Sequence, residues 1–512
     1  MSNELCLYYD MMSQPSRTLY TFLKVTGIPF EACKTTISTG EHKTPEFAKI
    51  NPRKKLPALK DGDFCLSESI AIVRYIADKY QHQIADHWYP QDRERRARVD
   101  EYLEYQHNGT RLHYSYLFLH EMMPRMTGGT PDKKQTEKLE SNMQKVTHIV
   151  QKTFLGDQCF LCGDQISIAD IFAAHEIMQI VIVGREPLEG FPKMSAWLER
   201  VSQELNPVFA ETIEELYSMA GKQVPQKYQS KRFESFAHII QPTHRPKATG
   251  TDQHGAPVLL LSNLYAIQLE DFLYEEAYCP VTLSIDQAHY QNLPFLLANS
   301  DIVGTTEDQN KPEFLKVNPR HCVPVIIDDD FTLTEGFAIL IYLADKFPDK
   351  VADHWYPKDR KKRARVNEYV SYHGGSPRQL FGKVFQDEYL FQTRPWWGMS
   401  TSKAEAEQHV KDMQHIATEL QDTFLKDQKF LCGDEISIAD LMAVIEVITP
   451  TISGRDTTKD HPKLAAWVER VKEWLNPEFD DVNKLFYELR KEFMNNPNAT
   501  VELERKVMGP KS

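Results

Sequence analysis

Two eleven-residue stretches of the chain are identical at all but one position. The first reads Phe160-Leu-Cys-Gly-Asp-Gln-Ile-Ser-Ile-Ala-Asp170, and the second reads Phe430-Leu-Cys-Gly-Asp-Glu-Ile-Ser-Ile-Ala-Asp440. In each, a serine precedes an aspartate by three residues, which is close to the pattern of a helix N-cap and its partner acid. We therefore expect each stretch to begin a buried helix and to have a structural role, without a part in chemistry.

The repetition extends far beyond these stretches. Ala85-Asp-His-Trp-Tyr-Pro-Gln-Asp-Arg93 returns as Ala352-Asp-His-Trp-Tyr-Pro-Lys-Asp-Arg360. The two copies lie about 250–270 residues apart, which is much longer than the repeat of a solenoid. A chain of 512 residues is also too long for one hydrophobic core. The sequence therefore predicts the duplication of a whole protein unit.

Each copy divides into an α/β part and an all-helical part. In the first copy the hydrophobic pattern predicts strands at 5–9, 30–36, 56–59 and 64–66, and helices at 16–25 and 68–80. The order β-α-β followed by β-β-α is the thioredoxin-like arrangement. From residue 92 to about 217 the pattern is helical throughout. The expected fold class is α/β plus all-α, in two tandem units.

The expected domain boundaries follow from these patterns. They are a thioredoxin-like domain at 1–83, a helical domain at 90–220, a lid helix and linker at 221–255, a second and degenerate thioredoxin-like domain at 256–349, a second helical domain at 357–495 and a tail at 496–512. The segment between the copies is rich in Pro, Gly, Gln, Thr and His, which is typical of a linker. Within it, Phe233 and Phe236 belong to a short amphipathic pattern that extends to Ile240.

The composition is that of an ordinary globular protein with an acidic balance. The net charge of −13 argues against a nucleic-acid partner or an anionic membrane surface. We expect no membrane span and no secretory signal, because the apolar runs are short and the start lacks a basic segment. The few cysteines favour a reducing, cytoplasmic compartment. The close pair Cys159 and Cys162 is not expected to bind metal, since Lys429 replaces Cys159 in the second copy.

The architecture and several motifs resemble the cytosolic glutathione transferases, most closely their theta class. The motifs are Ser13-Gln-Pro-Ser-Arg17, Gly40-Glu-His42, Asn51-Pro52, the run at 55–64, Glu68-Ser69 and Trp88-Tyr-Pro90. The resemblance covers nearly all of 1–240 and, more loosely, 256–495. It implies transfer of the glutathione thiolate to small electrophiles, with halide displacement as one reaction, in a detoxifying enzyme. Glutathione would be a co-substrate, and no other cofactor or metal is implied.

Ser13 is the catalytic residue that the resemblance implies. It follows the first strand and precedes the first helix, so its hydroxyl could donate to the glutathione sulfur close to a helix N-terminus. Both the donor and the helix dipole favour a thiolate. The alternative is a plain turn or capping serine.

The resemblance also implies a set of glutathione-binding residues. Pro57, which is cis in the family, would turn the backbone of Leu56 toward the cysteinyl group. Glu68 would pair with the amine, while Ser69 and its amide would hold the γ-glutamyl carboxylate at a helix start. His42 and Lys55 are candidates for the glycyl carboxylate. The alternatives are a helix cap for the serine and a surface position for His42.

The electrophile pocket is expected to involve the helical domain and the lid. Arg111 lies where the theta class directs an arginine toward the active site, and the second copy keeps it as Arg378. Phe233 and Phe236 would face the substrate from the lid helix. A surface salt bridge for the arginine, and packing on their own domain for the two phenylalanines, are the alternatives.

The second copy departs from the pattern at the residues that carry chemistry. Leu264-Tyr-Ala-Ile-Gln268 stands where Ser13 to Arg17 is expected, with Ser262 and Tyr265 out of register. Gly336 replaces Ser69, although Val323-Pro324 and Glu335 are kept. An insertion at about 294–310 interrupts the segment that should match His42. We expect a preserved fold without full catalysis.

Two questions of assembly and function stay open in the sequence. The second copy could pair with the first within one chain, or the chain could form a homo-oligomer. The alternative function is a non-catalytic binding or structural protein that reuses the transferase fold. A thioredoxin-type redox role is disfavoured because no Cys-x-x-Cys stands at the position of Ser13.

Overall fold

The computed structural model describes residues 5–229, 258–260, 296–298, 312–395 and 398–497. The chain divides into two compact units, Met1–Pro246 and Lys247–Ser512. Each unit combines a small four-stranded sheet with helices, as the sequence predicts.

The sheet of the first unit has the order β2-β1-β3-β4. Its strands are β1 (Leu5–Tyr9), β2 (Phe30–Lys34), β3 (Ala58–Asp61) and β4 (Phe64–Ser67). β1 runs parallel to β2 and antiparallel to β3, and β3 and β4 form the predicted hairpin. Leu5 and Leu7 are fully buried on one face while Cys6 and Tyr8 are half-buried on the other, as the alternation of a strand requires.

The helices of the first unit follow the predicted division between its two parts. They are α1 (Gln14–Val25), α2 (Pro45–Ala48), α3 (Ser69–Lys79), α4 (Arg93–Tyr105), α5 (Thr110–Met126), α6 (Lys133–Ile149), α7 (Ile168–Ile177), α8 (Pro192–Leu205) and α9 (Val208–Met219). α7 is buried along its whole length and forms the centre of the helical part.

Asp170 fixes the start of α7, as the repeated stretch predicts. One carboxylate oxygen accepts hydrogen bonds from the backbone N–H and the hydroxyl of Ser167, at 2.9 and 3.1 Å. The other oxygen accepts from the N–H of Leu161 and from the indole of Trp197, both at 2.9 Å. Asp440 has the same four donors at matching positions in the second unit. The predicted capping pattern is confirmed in both copies.

The second unit repeats the sheet as β6-β5-β7-β8. Its strands are β5 (Val258–Leu260), β6 (Leu296–Ala298), β7 (Val325–Asp328) and β8 (Phe331–Thr334). Its helices are α10 (Pro312–Val317), α11 (Gly336–Lys346), α12 (Arg360–Gly375), α13 (Pro377–Phe385), α14 (Phe391–Thr393), α15 (Lys403–Glu419), α16 (Ile438–Ile448), α17 (Pro462–Leu475) and α18 (Glu478–Asn495).

The predicted position of the insertion in the second copy is wrong. Leu296–Ala298, which lies inside the proposed insertion at 294–310, is a strand that pairs in parallel with β5. The connection between the first two strands covers 10–29 in the first unit and 261–295 in the second. Most of the additional residues therefore precede β6. The hydrophobic pattern alone did not distinguish a short three-residue strand from an inserted loop.

Two expectations fall on parts of the chain outside the described residues. They are the lid helix with Phe233 and Phe236, and the segment 264–268 of the second copy. Among the residues that are described, no helix has both the length and the apolar character needed to cross a membrane.

Candidate functional site

Three segments of the first unit meet at one edge of its sheet. Tyr8 of β1 pairs with Ala58 of β3, and Ala58 pairs in turn with Ser67 of β4. The residues just beyond these pairs therefore lie side by side. They are the loop 10–13 after β1, Leu56 and Pro57 before β3, and Glu68 and Ser69 after β4. We call this place the sheet-edge cleft.

Ser13 lies at the N-cap position of α1, with its hydroxyl directed across the cleft. Its backbone is extended, and its side chain does not cap the first turn of the helix. Instead, Oγ donates to the carbonyl of Leu56 at 3.5 Å. A bond of this length is weak, so a stronger acceptor in the cleft could replace the carbonyl.

Hydrogen bonds from Asp10 hold the loop that carries Ser13. One oxygen of the buried Asp10 carboxylate accepts from the N–H of Met12 at 2.8 Å, and the other accepts from the N–H of Ile37 at 2.6 Å. The N–H of Ser13 donates to the carbonyl of Asp10 at 3.0 Å. The position of the Ser13 hydroxyl is therefore set by a rigid backbone.

Arg17, on α1, connects the same loop to the helical part of the unit. Its side chain is fully buried and donates to the carbonyl of Met11 at 2.6 Å. It also donates to Gln179 Oε1 at 2.5 Å and to the carbonyl of His175 at 3.3 Å. Burial lowers the pKa of the guanidinium to about 9. Sequence reasoning included Arg17 in a motif but assigned it no part in supporting the site.

Leu56 and Pro57 join through a cis peptide bond. Asn51 braces the loop before them, because its amide donates to the carbonyl of Lys55 at 2.7 Å and accepts from the N–H of Arg53 at 3.0 Å. The side chain of Lys55 itself is exposed.

Glu68 forms an ion pair with Arg53, a residue that the sequence analysis did not select. The pair is largely buried, with 4% of the Arg53 side chain and 16% of the Glu68 side chain exposed. Burial alone would raise the pKa of Glu68, but the charges of Arg53 and Arg111 outweigh it and the pKa is lowered. Glu68 is therefore a carboxylate at neutral pH. The repeat contains a signal for this pair, since Arg320 and Glu335 form it in the second unit.

Ser69 and Arg111 approach Glu68 from two different elements. Ser69 is buried and is the first residue of α3, so its backbone N–H has no partner in the helix. Arg111 belongs to α5, and its charge lowers the pKa of Glu68. The helical part of the unit therefore contributes positive charge to the sheet-edge cleft.

His42 lies on a short helical turn, Glu41–Lys43, which precedes α2. The turn is held by the carboxylate of Glu41, which accepts from the N–H of Thr36 at 2.7 Å. The His42 Nδ1 atom is buried and has no hydrogen-bond partner among the described residues. Such an atom is expected to have a partner in the working state of the protein.

A buried polar cluster surrounds Glu176 in the helical part. Thr110 donates a hydrogen bond to Glu176, and the hydroxyl of Tyr102 lies 3.5 Å from the same carboxylate oxygen. Burial raises the pKa of Glu176 to about 8, although Thr110 and the charge of Arg111 act in the opposite direction. The second oxygen of Glu176 and both polar atoms of the Gln106 amide have no partner in the described part of the chain.

The structure brings together five of the predicted site residues. Ser13, Leu56, Pro57, Glu68 and Ser69 meet at the sheet-edge cleft. Beyond these, the charge of Arg111 acts on Glu68, His42 lies on the turn Glu41–Lys43 and Lys55 is exposed. Arg53, Asp10 and Arg17 are the supporting residues that sequence reasoning missed.

The second unit keeps the backbone of this arrangement. Arg320 pairs with Glu335, and Val323-Pro324 is cis like its counterpart. Gly336 begins α11 where Ser69 begins α3. The pairing of Leu260 with Val325 makes Leu260 the equivalent of Tyr8.

The counterpart of Ser13 falls in the connection 261–295, outside the described residues, so its identity stays as the sequence comparison gave it.

Comparison with known proteins finds the same two family domains twice in the chain. The family described as Glutathione S-transferase, N-terminal domain matches residues 6–78 and 289–345. The family described as Glutathione S-transferase, C-terminal domain matches residues 110–204 and 385–473.

Individual relatives match less than half of this chain and most of their own length. Glutathione S-transferase theta-1 of Bos taurus is 38% identical over 220 residues, which are 43% of this chain and 91% of the relative. Glutathione S-transferase theta-2 of Homo sapiens is 40% identical over 213 residues, 42% of this chain and 85% of the relative. The solved structure of human glutathione-S-transferase T1-1 in its apo form has 36% identity and a TM-score of 0.41, and the match covers 44% of this chain and 95% of that one.

Proposed function

Since the chain belongs to the glutathione S-transferase family, we propose that its first unit carries a working active site, the sheet-edge cleft. The observation that supports this most directly is the hydroxyl of Ser13, which points into the cleft and does not cap its own helix. In this proposal Ser13 donates a hydrogen bond to the sulfur of glutathione. The N-terminus of α1 adds its positive potential to the same point.

The magnitude of thiolate activation shows what else the site must supply. Lowering a thiol pKa from about 8.5 to about 6.5 raises its ionisation at pH 7 roughly 25-fold. Intrinsic nucleophilicity falls with pKa at a slope of about 0.4–0.5, which offsets roughly eightfold of this gain. The net gain is a few-fold. Positioning of the thiolate against a bound electrophile must therefore provide most of the rate.

The remaining groups of glutathione find suitable partners around the cleft. The backbone of Leu56 faces the cysteinyl group, in the conformation that the cis bond to Pro57 gives it. The Ser69 hydroxyl and the backbone N–H at the start of α3 donate hydrogen bonds to the γ-glutamyl carboxylate, and the ionised Glu68 pairs with the amine. For the glycyl carboxylate we propose His42, whose Nδ1 has no partner among the described residues and can serve as an N–H donor, together with Lys55.

The electrophile is proposed to bind on the helical side of the cleft. Arg111 supplies a positive charge there, which would stabilise an anionic leaving group such as halide. Phe233 and Phe236 are proposed to close this side as part of a lid. The substrates would then be small electrophiles that undergo conjugation or halide displacement.

We propose that the second unit keeps the fold without the full glutathione site. Gly336 removes the hydroxyl that Ser69 provides in the first unit. The Arg320–Glu335 pair persists, which supports a retained scaffold. We also propose that the domains divide at the predicted boundaries, with the linker between the two units at 221–255. Limited proteolysis tests this division, and cleavage is expected within 221–255.

An exposed apolar stripe on α5 supports pairing with another transferase unit. Its members, Tyr116, Leu119, Met123 and Met126, are spaced by three and four residues and are exposed by 42 to 71%. The partner would be the second copy of the same chain or a second chain, in a cytoplasmic protein without nucleic-acid or membrane partners. A sedimenting species of 59.3 kDa supports the first, and a doubled mass supports the second.

The decisive experiment measures glutathione-dependent turnover of small alkyl halides and epoxides by the intact chain and by three variants. Ser13→Ala is expected to raise the pKa of the bound thiol by about 1–2, because a hydrogen bond to a charged group contributes about 1.5–3 kcal/mol, and to lower kcat/KM at pH 7 a few-fold. Glu68→Gln is expected to lower turnover, while the matched Glu335→Gln in the second unit leaves it unchanged. Equal turnover in all four proteins would refute the assignment to the first unit, and no turnover in any would favour a binding or structural role.

A further inference from the structure

A cluster of two thiols and a carboxylate lies on the sheet of the first unit, outside the sheet-edge cleft. Cys6 of β1 pairs with Glu31 of β2, and Cys33 follows Glu31 by two residues on the same strand. Because side chains two apart share a face, all three lie on one side of the sheet. Their donor atoms are within 4.8 Å of one another, and Cys6 Sγ donates to Glu31 Oε2 at 3.2 Å.

The cluster is accessible from solvent, and Glu31 disfavours ionisation of its two thiols when no cation is bound. Cys6 and Cys33 are half-buried and Glu31 is exposed, so an ion can reach all three from solvent. Burial, reinforced by Glu31, raises the pKa of Cys6 to about 12 and also raises that of Cys33. In the absence of a cation the two thiols are therefore protonated at neutral pH.

The distances suit a tetrahedral metal ion with sulfur and oxygen ligands. Zn–S bonds of about 2.3 Å and Zn–O bonds of about 2.1 Å place two sulfurs about 3.8 Å apart, and sulfur and oxygen about 3.6 Å apart. The Cys6 to Glu31 contact of 3.2 Å is already close to this edge length. All three donor atoms lie within 4.8 Å of one another. The third donor therefore has to move by about 1 Å to reach these separations, and a change of rotamer can supply that movement.

We propose that Cys6, Glu31 and Cys33 form a binding site for one thiophilic divalent metal ion, of which Zn²⁺ is the representative. Binding breaks two S–H bonds and forms two metal–sulfur bonds and one metal–oxygen bond. The two protons pass to solvent, water occupies the fourth position, and no electrons are transferred. A soft cation is favoured over Mg²⁺ or Ca²⁺, which prefer oxygen ligands only.

The second unit provides an internal comparison. Val258 takes the place of Cys6 in the strand register, since it pairs with Ile327 as Cys6 pairs with Lys60. Its parallel partner is Leu296, and two residues further is Ala298. All three equivalents are apolar, so the ligand set belongs to the first unit alone. Sequence reasoning missed it because its two cysteines are far apart in the chain.

The test uses the full chain, stripped of metal and kept reduced, titrated with zinc alone against a chromophoric chelator. One equivalent is expected to bind to the native chain. Losing an outer-shell partner of a metal ligand already costs about 10–100-fold in affinity. We therefore expect Cys6→Ser and Cys33→Ser each to weaken binding at least about 100-fold. Cys65→Ser, on β4 of the same sheet, and Cys159→Ser, in the helical part, are the matched controls and should bind like the native chain.

Proton release gives a second and independent readout. Calorimetry in buffers of different ionisation enthalpy should show two protons released per zinc bound near pH 7. The groups beside the cluster are Tyr8 on β1, Lys60 on β3 and Cys65 on β4, so Cys65→Ser also tests whether one of these protons comes from a neighbour. Co²⁺ should add a thiolate charge-transfer band that Cys6→Ser and Cys33→Ser abolish.

Two results would overturn the proposal. One is the absence of a stoichiometric zinc site in a chain whose circular dichroism and transferase activity are intact. The other is zinc binding that both serine variants retain. Since none of the three ligands belongs to the sheet-edge cleft, either failure leaves the proposed transferase site unaffected.

Discussion

Replacing Glu176 by Gln should change how the stability of the first unit depends on pH. Glu176 is 2% exposed, and burial raises its pKa to about 8 in the folded chain. In the unfolded chain its pKa is about 4.3. The folded state therefore binds the proton more tightly, and the carboxyl's contribution to stability is lost as the pH rises toward 8. Glutamine resembles the protonated acid and does not titrate.

The size of the effect follows from these two pKa values. At pH values between these two pKa values, the free energy of unfolding of the native chain falls by about 1.4 kcal/mol per pH unit relative to the glutamine variant. Between pH 5 and pH 7 the accumulated loss is about 2.5 kcal/mol, and it levels off above pH 8. Glu176→Gln should thus match the native chain best at pH 5 and exceed it increasingly up to pH 8.

Urea unfolding at pH 5, 6, 7 and 8, followed by circular dichroism, measures this difference. The matched control is Glu446→Gln in the second unit, where His373 Nε2 lies 3.4 Å from the carboxylate. This variant makes the same chemical change at the equivalent buried position of the second unit, where His373 stands in place of Gln106. A difference between Glu176→Gln and the native chain that stays constant from pH 5 to pH 8 would refute a protonated Glu176.

Four further variants test single contacts in the two units. Arg53→Met leaves the Glu68 carboxylate buried without its cation and should lower the free energy of unfolding by about 3 kcal/mol in urea titrations, whereas an unchanged midpoint would contradict the ion pair. Gly336→Ser should raise the free energy of unfolding by about 0.5 kcal/mol, as measured by thermal unfolding, because serine favours a helix more than glycine. A Cβ at this position would meet its nearest atoms at 3.9 Å, so it fits without a clash. A lower stability of the variant would show that the space is tighter than this. Asp170→Asn and Asp440→Asn each weaken four hydrogen bonds and should cost similar amounts, about 2–4 kcal/mol by urea unfolding; a large inequality would show that the two copies use this residue differently.

The sequence predicted the scaffold of the first unit well, because the scaffold depends on local patterns. The strand Leu5–Tyr9, the hairpin of β3 and β4 and the capping serine of α7 all follow from periodicity or from residues three apart. The repeat added confidence to the same elements, since each pattern occurs twice. These features need no knowledge of which distant residues meet.

The supporting residues of the site depend on contacts that the sequence does not display. Arg53 and Glu68 form an ion pair although the whole hairpin of β3 and β4 separates them in the chain. Arg17 donates a hydrogen bond to Gln179 in the helical domain. The raised pKa of Glu176 depends on burial, which no single position reveals. In the second copy the position of the insertion was misjudged, because the short strand Leu296–Ala298 cannot be distinguished from a loop by its hydrophobic pattern.

The buried guanidinium of Arg17 makes the two halves of the first unit mechanically interdependent. A movement of the Ser13 loop would have to break hydrogen bonds to Gln179 and the carbonyl of His175, so the halves should open and unfold together. In the second unit Thr449 takes the place of Gln179 and donates to a carbonyl of its own helix.

The amide oxygen that anchors Arg17 to the helical part of the first unit is therefore not present at the matching position of the second unit. The duplication has kept this link between the two halves of the first unit and has lost at least one end of it in the second.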